Sequence, residues 1–261
     1  MCKVISIVNQ KGGCSKTTSA VNIGIGLANA GKKVVLIDAD AQGSLTASLG
    51  FQKPDELKVT LATIMAKTIN EEEIDLSKVI LHHEEGVDLI PGNIELSGLE
   101  VQLSNVLSRE LILKEFVDSL RDSYDYILID CAPSLGMMTI NALVAADEVI
   151  IPVQAAYLPV KGLQQLMKTI NMVKRRLNKK LQIDGILLAM VDYRTTFARN
   201  ISAELFAAYG ESVGIFENYI PSSIKAVEAS SAGISIYKHD PKGKVAQAYA
   251  KVTQEVLNHE N

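Results

Sequence analysis

Short apolar runs recur along this chain, and stretches with helical spacing follow them. The runs lie within residues 4–8, 33–38, 87–90, 126–129, 147–153 and 183–191. Because they show little polar alternation and are rich in Val and Ile, they predict strands of a buried, parallel sheet. After the first run, small or apolar residues recur at helical spacing at positions 20, 21, 23, 24, 27 and 28. This alternation predicts an α/β fold, with one doubly wound, mostly parallel sheet and helices on both faces.

Other elements follow from the same reading. We expect a short helix around residues 61–65, a long amphipathic helix over 95–120 and a helix over 162–177. Residues 213–216 and 219–221 are expected to bring a last strand out to a loop. The sequence has no repeat, low-complexity stretch or obvious linker, so residues 1–261 are expected to form a single domain.

Composition and charge narrow the functional class. The net charge of −4 excludes a protein that is basic all over, so any nucleic-acid site must be a local patch. The three cysteines and four histidines show neither disulfide nor metal-site spacing. No apolar run approaches the ~18 residues of a membrane span, and the first residues lack signal-peptide features. We therefore expect a cytoplasmic protein without a membrane partner.

The first chemical motif lies at residues 9–18, Asn-Gln-Lys-Gly-Gly-Cys-Ser-Lys-Thr-Thr, between the first strand and its helix. A glycine-bearing turn in this context presents backbone N–H groups and a helix N-terminus to one point, which suits a triphosphate. Lys16 is placed to reach the β/γ-phosphates, and the Thr17 hydroxyl is placed to coordinate Mg²⁺.

The loop departs from the usual G-x-x-x-x-G-K-[ST] pattern, because Ser15 occupies the position of the second glycine. It has the form K-G-G-x-x-K-T-T instead, with a further lysine, Lys11, at its start. In this the chain resembles the ParA/Soj/MinD family of deviant Walker ATPases, and most of all its DNA-partitioning ParA/Soj branch. The resemblance implies ATP and Mg²⁺ as cofactors, and a nucleotide-sandwich homodimer in which Lys11 reaches the phosphates bound by the other copy. The implied ATP-binding residues are Lys11, Gly12, Gly13, Cys14, Ser15, Lys16, Thr17 and Thr18.

A second motif, Asp-Ala-Asp-Ala-Gln-Gly, follows the second strand at residues 38–43. Ligands bind at the carboxyl ends of strands in doubly wound sheets, so both aspartates are candidates for the site. The resemblance implies that Asp40 positions or activates the attacking water, which suits phosphoryl transfer. Asp38 is expected to support either the magnesium shell or the loop.

The third motif is a buried strand that ends in Asp130-Cys131-Ala132-Pro133-Ser134. It delivers a carboxylate to the phosphate site, as a Walker B element does, so Asp130 is expected to hold Mg²⁺ through its water shell. We expect Cys131 to be an unreactive core thiol.

The resemblance continues through the second half of the chain. Arg194 matches an arginine after the sixth apolar run, and Ile220-Pro221-Ser222-Ser223 occupies the place of the family's I-P-R-N, whose proline lies beside adenine. Pro221 and Ser223 are thereby implied as adenine contacts. Ser222 replaces one arginine of the family's DNA patch, Lys225 stands near another, and Arg194 is retained.

A separate basic run, residues 174–180, has five cations in seven residues at a predicted helix end. It is explained either by favourable placement of cations at a helix C-terminus or by contacts with DNA phosphates. In the second case Arg175, Arg176, Lys179 and Lys180 bind DNA without sequence preference.

Residues 69–100, with nine acidic residues and one lysine, are either a solvated surface or a docking surface for a basic partner.

Three functions fit these motifs. The resemblance favours an ATPase that partitions DNA: its ATP-bound dimer binds nonspecific double-stranded DNA on the nucleoid, and a ParB-like centromere-binding protein stimulates hydrolysis. A MinD-like membrane switch would need a C-terminal basic amphipathic helix, whereas residues 251–261 contain one lysine and two glutamates. A regulator without hydrolysis is not indicated, because Lys16, Asp40 and Asp130 are all present.

Overall fold

A seven-stranded sheet organises the protein. The computed structural model describes residues 2–155 and 160–259. The strands are β1 (Lys3–Ile7), β2 (Val34–Ala39), β3 (Leu81–His82), β4 (Val87–Ile90), β5 (Tyr126–Cys131), β6 (Glu148–Gln154) and β7 (Gln182–Ala189). They lie in the order β3-β4-β2-β5-β1-β6-β7, and all neighbours are parallel except the β3–β4 pair. The predicted mostly parallel sheet is confirmed.

Strand β2 shows why the sequence forms a sheet that is covered twice. Its side chains alternate in direction, so Val35 and Ile37 join one hydrophobic cluster while Val34 and Leu36 join the other. All four are at most 2% exposed. A strand that is buried on both faces is apolar at consecutive positions and does not alternate between apolar and polar residues. The continuous apolar run of β2 in the sequence has this pattern.

Helices cover each face. The helices are α1 (Lys16–Asn29), α2 (Ser44–Ser48), α3 (Leu61–Ile69), α4 (Glu95–Leu103), α5 (Ile112–Leu120), α6 (Met137–Ala145), α7 (Val160–Arg176), α8 (Thr196–Tyr209), α9 (Ile224–Ala232), α10 (Ile236–His239) and α11 (Lys244–Asn258). Helices α3 to α8 pack on one face, and α1, α2 and α9 to α11 pack on the other. Across the described ranges, no helix combines the length and apolarity that crossing a bilayer requires.

The expected long helix over residues 95–120 is wrong. It is interrupted between α4 and α5 by a turn at 104–111, where Ser108 has a left-handed φ of 52°. The turn is rich in Ser and Asn, which compete with helical hydrogen bonds. It is fixed from outside by Asn141, whose side chain donates to the Arg109 carbonyl and accepts from the Leu113 N–H. The helical spacing of apolar residues continues through the turn, so the sequence pattern did not reveal the interruption.

The expected last strand over 213–221 is reduced to two isolated parallel bridges. Ile215 pairs with Ile186, and Pro221 pairs with Val191. Because Pro221 has no backbone N–H, it cannot donate the hydrogen bond that a longer strand pairing would need. This segment still lies beside β7 and extends to its carboxyl end, where Pro221 was expected to contact a nucleotide.

Candidate nucleotide-binding site

Three neighbouring strands bring their carboxyl ends together at one edge of the sheet. In the order β2-β5-β1, Asp130 of β5 pairs in register with Asp38 of β2 on one side and with Ile7 of β1 on the other. The loop after β1 therefore emerges next to both aspartates. The three sequence motifs meet at this edge.

The loop after β1 has the conformation of a phosphate cradle. Gly13 and Ser15 both have a φ of 69°, and α1 begins immediately afterwards at Lys16. Gly12 and Gly13 are exposed, whereas Cys14 is buried. The unpaired N–H groups at a helix start, together with the helix dipole, favour an anion at this point. Ser15 adopts its left-handed conformation without the freedom of glycine and makes no side-chain cap to α1.

Asn9 braces the start of the loop, a role that the sequence reading missed. Its side-chain oxygen accepts from the Lys11 N–H at 3.0 Å, and its side-chain nitrogen donates to the Pro152 carbonyl at 2.7 Å. The loop is thereby tied to β6. An Asn directly after a strand is a recognisable turn signal, since its side chain mimics a backbone turn.

Lys16 lies folded against the loop. Its ammonium donates to the Lys11 carbonyl at 3.1 Å, and the Cys14 thiol donates to the same oxygen at 3.2 Å. The residue is 7% exposed, so its charge is held beneath the cradle. Burial raises the pKa of the Cys14 thiol, which keeps this cysteine in its unreactive protonated form.

Asp130 and Thr17 form the part of the site that fits a divalent cation. The Thr17 hydroxyl donates to Asp130 Oδ2 at 2.7 Å, while Asp130 Oδ1 is buried and has no hydrogen-bond partner among the described residues. Burial, and then the nearby charge of Asp38, raise the pKa of Asp130 to about 8. A hydroxyl oxygen and a carboxylate oxygen without a hydrogen-bond partner are suitable ligands for a Mg²⁺ ion that also binds phosphates. The residues fit the expected ion.

Asp38 is engaged by the protein itself. One oxygen accepts from both the N–H (2.8 Å) and the hydroxyl (2.7 Å) of Thr46, and the other accepts from the Asp40 N–H at 3.3 Å. The side chain is fully buried, and burial raises its pKa to about 6. Of its two expected roles, these bonds favour support of the 40–46 loop over a place in the magnesium shell. Thr46 was not singled out by the sequence.

Asp40 stands one residue beyond β2, partly exposed at the rim of the site. Its Oδ1 accepts from the Gln42 N–H at 3.0 Å, which leaves the carboxylate oriented by its own turn. A partly exposed carboxylate near the phosphate loop can orient water without being desolvated.

Pro221 and Ser223 lie at the same edge, on the other side of the loop. Pro221 bridges to Val191 just past β7, and β7 is two strands from β1. Ser223 caps α9, with its hydroxyl accepting from the Lys225 N–H at 3.2 Å. Among the described residues, no hydrogen bond joins either side chain to the phosphate loop, and their expected contact with adenine stays a prediction.

The six predicted DNA-binding cations fall into two separate groups. Arg194 and Lys225 lie near the carboxyl edge, whereas the 174–180 run connects the end of α7 to the start of β7 at the amino edge. Arg194 pairs with Asp192 at 2.8 Å, and Lys225 pairs with Glu228 at 3.0 Å. The exposed cations of the run, Arg175, Arg176, Lys179 and Lys180, make no ion pair with the described residues. The structure does not bring the two groups into one patch.

Much of the acidic 69–100 region is used internally. Glu84 pairs with Lys238 at 2.6 Å, the Glu85 carboxylate accepts from Ser235, and Asp88 accepts from the Tyr124 hydroxyl at 2.6 Å. Glu100 accepts from the Met138 N–H at the start of α6. The remaining exposed charge concentrates at residues 71–73, so these contacts weaken the docking interpretation.

Comparisons with known proteins agree with this geometry. Residues 2–183 match the family model described as an AAA domain. The sporulation initiation inhibitor protein Soj of Bacillus subtilis is 40% identical over 98% of both chains. The chromosome partitioning protein ParA of Caulobacter vibrioides is 36% identical over 99% of this chain and 95% of its own.

Solved structures extend the likeness to the fold. Cobyrinic acid a,c-diamide synthase from Mycobacterium smegmatis, with ADP and magnesium bound, has a TM-score of 0.87 at 33% identity and covers 100% of this chain and 96% of its own. The septum site-determining protein MinD of Pyrococcus horikoshii, complexed with Mg-ADP, has a TM-score of 0.76 at 26% identity and covers 100% and 98%. With its phosphate loop, its Walker B aspartate and these relatives over nearly its whole length, the chain belongs to the ParA/Soj-type P-loop ATPases, which use ATP and Mg²⁺.

Proposed function

We propose that this protein is a DNA-partitioning ATPase that works as an ATP-dependent homodimer. The observation that supports this most is the placement of two kinds of residue at one edge of the sheet. The catalytic candidates Lys11, Lys16 and Asp40 lie there, and Arg194 and Lys225 lie near the same edge. A dimer closed over ATP at this edge would bring the cations of two copies together.

The chemistry of the site follows from its own residues. The loop and Lys16 bind the phosphates, Thr17 and Asp130 hold the magnesium ion, and Asp40 orients the attacking water. Lys11 reaches the phosphates bound by the other copy. Magnesium offsets the charge that develops on the phosphoryl oxygens when it is bound. ATP hydrolysis then dissociates the dimer, so the rate of hydrolysis sets the lifetime of the dimer.

DNA and a second protein are the proposed partners. Nonspecific contacts with phosphates need only exposed cations, and a doubled patch raises affinity without base readout. A ParB-like centromere-binding protein would stimulate hydrolysis and so release the DNA. The proposed location is therefore the cytoplasm, on the nucleoid, and the proposed cargo is a chromosome, a plasmid or a mobile element.

Sedimentation and filter binding test the proposal together. With Mg-ATP the wild type should sediment as a dimer and retain DNA of any sequence, and with ADP it should do neither. Lys16→Ala is the matched control, because it should fail in both assays. A dimer that forms with ATP but retains no DNA at low salt would exclude partitioning and favour a MinD-like or regulatory switch.

A further inference from the structure

The backbone of Asp40 is held by a carboxylate of the strand that precedes it. Asp38 Oδ1 accepts from the Asp40 N–H at 3.3 Å, and the Asp40 carbonyl accepts from the Gly43 N–H at 3.0 Å. The Asp40 carboxylate accepts from the Gln42 N–H within the same turn. Because Asp38 bonds the backbone of Asp40 directly, a shift of the Asp38 carboxylate would turn the Asp40 carboxylate as well.

Thr46, the third residue of α2, holds the other oxygen of Asp38. Asp38 Oδ2 accepts from the Thr46 N–H at 2.8 Å and from the Thr46 hydroxyl at 2.7 Å. The bond from the N–H caps the helix, since Gly43 at the N-cap has no side chain that could accept it. Every residue type except proline would supply that N–H. The hydroxyl bond is therefore a separate contribution of the threonine side chain.

The Thr46 hydroxyl is itself fixed from the end of the neighbouring strand. Its oxygen accepts from the N–H of Gly92, two residues after β4, at 3.0 Å. The hydroxyl has one hydrogen, and its 2.7 Å bond to Asp38 is shorter than its 3.4 Å contact with the Gly92 carbonyl, so the hydrogen is donated to Asp38. A Cβ on residue 92 would lie 2.3 Å from the Asp38 carbonyl oxygen, so glycine permits this close approach.

Consecutive hydrogen bonds thus join Gly92, Thr46, Asp38 and Asp40, and we call this series the relay. Thr46 and Asp38 are both 0% exposed, whereas Asp40 lies partly exposed at the rim of the site. A buried polar group that loses its partner has no bulk water to replace it. Loss of the Thr46 hydroxyl would therefore leave the buried part of the relay less firmly held.

We propose that Thr46 is a positioning residue for ATP hydrolysis, because its hydroxyl fixes Asp38 and thereby orients the Asp40 carboxylate toward the attacking water. The inference rests on the proposed role of Asp40 in orienting that water. A misplacement of a reacting group by about 1 Å can lower a rate by roughly a hundredfold. Thr46 acts through Asp38 and Asp40, so its hydroxyl affects the rate of hydrolysis and leaves the affinity for ATP unchanged.

Thr46→Val tests this, because valine keeps the shape of the side chain and removes the hydroxyl. Phosphate release should show a kcat roughly tenfold to a hundredfold lower, and isothermal titration should show an unchanged Kd for Mg-ATP. Thr46→Ser keeps the hydroxyl and should restore most of the kcat. Thr60→Val is the matched control: Thr60 is also 0% exposed, but its hydroxyl donates to Asn93, outside the relay. This control should retain the wild-type kcat.

A double variant shows whether Thr46 acts through Asp40. Thr46→Val combined with Asp40→Ala should have the kcat of Asp40→Ala alone, because no carboxylate remains to be oriented. A further loss as large as that of Thr46→Val alone would overturn the proposal and make Thr46 a support of the whole site. A rise in the Kd for Mg-ATP that matches the loss of kcat would overturn it too. So would a Thr46→Ser variant as slow as Thr46→Val.

A thermal scan shows whether Thr46→Val is folded at the assay temperature. If it is not, Thr46→Ala and Thr46→Ser differ only in the hydroxyl, and equal kcat values for these two would overturn the proposal. Wild-type turnover of Thr46→Val beside an impaired Asp40→Ala would refute the relay alone. Wild-type turnover of Asp40→Ala would refute the proposed role of Asp40 itself. Failure of the partitioning function would appear in the dimer and DNA assays and leave these turnover measurements untouched.

Discussion

Asp38 and Asp130 are register partners on neighbouring strands, so two carboxyl groups lie side by side in the core at the edge that faces the phosphate loop. Both are at most 1% exposed. Burial raises the pKa of Asp38 to about 6 and that of Asp130 to about 8, and the charge of Asp38 adds to the second shift. The pair opposes folding of the ligand-free protein, and a bound cation offsets it.

Asp130→Asn should therefore stabilise the ligand-free protein while abolishing magnesium-dependent turnover. The change removes a carboxyl whose Oδ1 has no partner, and the amide oxygen can still accept from Thr17. We expect a gain of about 1–3 kcal/mol in the free energy of unfolding at pH 7, because a carboxyl whose pKa is raised to about 8 must take up a proton on folding and an amide need not. Denaturant titration at pH 7 measures the stability, and phosphate release measures turnover.

Asp147→Asn is the control for this comparison. Its carboxylate is paired with Arg121 at 2.9 Å, so neutralising it should not stabilise the protein. A loss of stability in Asp130→Asn would show that the buried pair is compensated in some other way.

The sequence predicted the fold and the meeting of the three motifs at one edge of the sheet, because both depend on short local patterns. The strand runs around Asp38 and Asp130 are continuous, and glycine and lysine mark the phosphate loop. The roles of Thr46 and Asn9 depend on contacts with distant segments: Thr46 hydrogen-bonds Gly92, and Asn9 hydrogen-bonds Pro152. No local pattern encodes such pairs.

Substitution of Lys16 should impair nucleotide binding, whereas substitution of Lys11 should impair dimerisation. Lys16 lies buried under the cradle, so Lys16→Ala should reduce nucleotide affinity in the monomer. If Lys11 acts on the nucleotide of the other copy, Lys11→Ala should retain most of the affinity and lose ATP-dependent dimerisation. Isothermal titration and sedimentation on the same samples separate the two. Normal dimerisation of Lys11→Ala with ATP would contradict the deviant Walker assignment.

Asp40→Ala should separate binding from turnover. The carboxylate is held by its own turn at the rim, and no described contact ties it to the phosphate loop. Orientation of water matters in the transition state, so kcat should fall about a hundredfold or more while ATP affinity changes little. The variant should accumulate as a dimer in ATP. Hydrolysis at the wild-type rate would remove Asp40 from the mechanism.

Ser15→Gly should stabilise the ligand-free protein. Ser15 has a φ of 69° and makes no side-chain cap, so glycine relieves strain without losing a bond to α1. The expected gain is about 1 kcal/mol, which a thermal scan resolves as a rise of a few degrees. Ser19→Gly is a useful comparison, because Ser19 lies inside α1 and bonds the Tyr249 hydroxyl. A lower midpoint for Ser15→Gly than for wild type would mean that the hydroxyl supports the loop.

The DNA contacts can be assigned because the two groups of cations lie at opposite edges of the sheet. Arg175→Gln with Arg176→Gln removes the same net charge as Arg194→Gln with Lys225→Gln, so each double variant controls for the other. If the 174–180 run contacts phosphates, its variant should bind every sequence more weakly, and the log–log salt slope should fall by roughly one for each lost contact. Adding Lys179→Gln and Lys180→Gln should deepen both effects.

The Arg194 and Lys225 variant should instead lose the gain in affinity that ATP confers, because these residues lie near the nucleotide edge. ATP turnover without DNA should be unchanged in the variants of the run, which lies at the far edge. If the four-residue variant keeps wild-type affinity and slope while the Arg194 and Lys225 variant loses binding, the run is a solvated helix end whose cations serve the helix dipole alone.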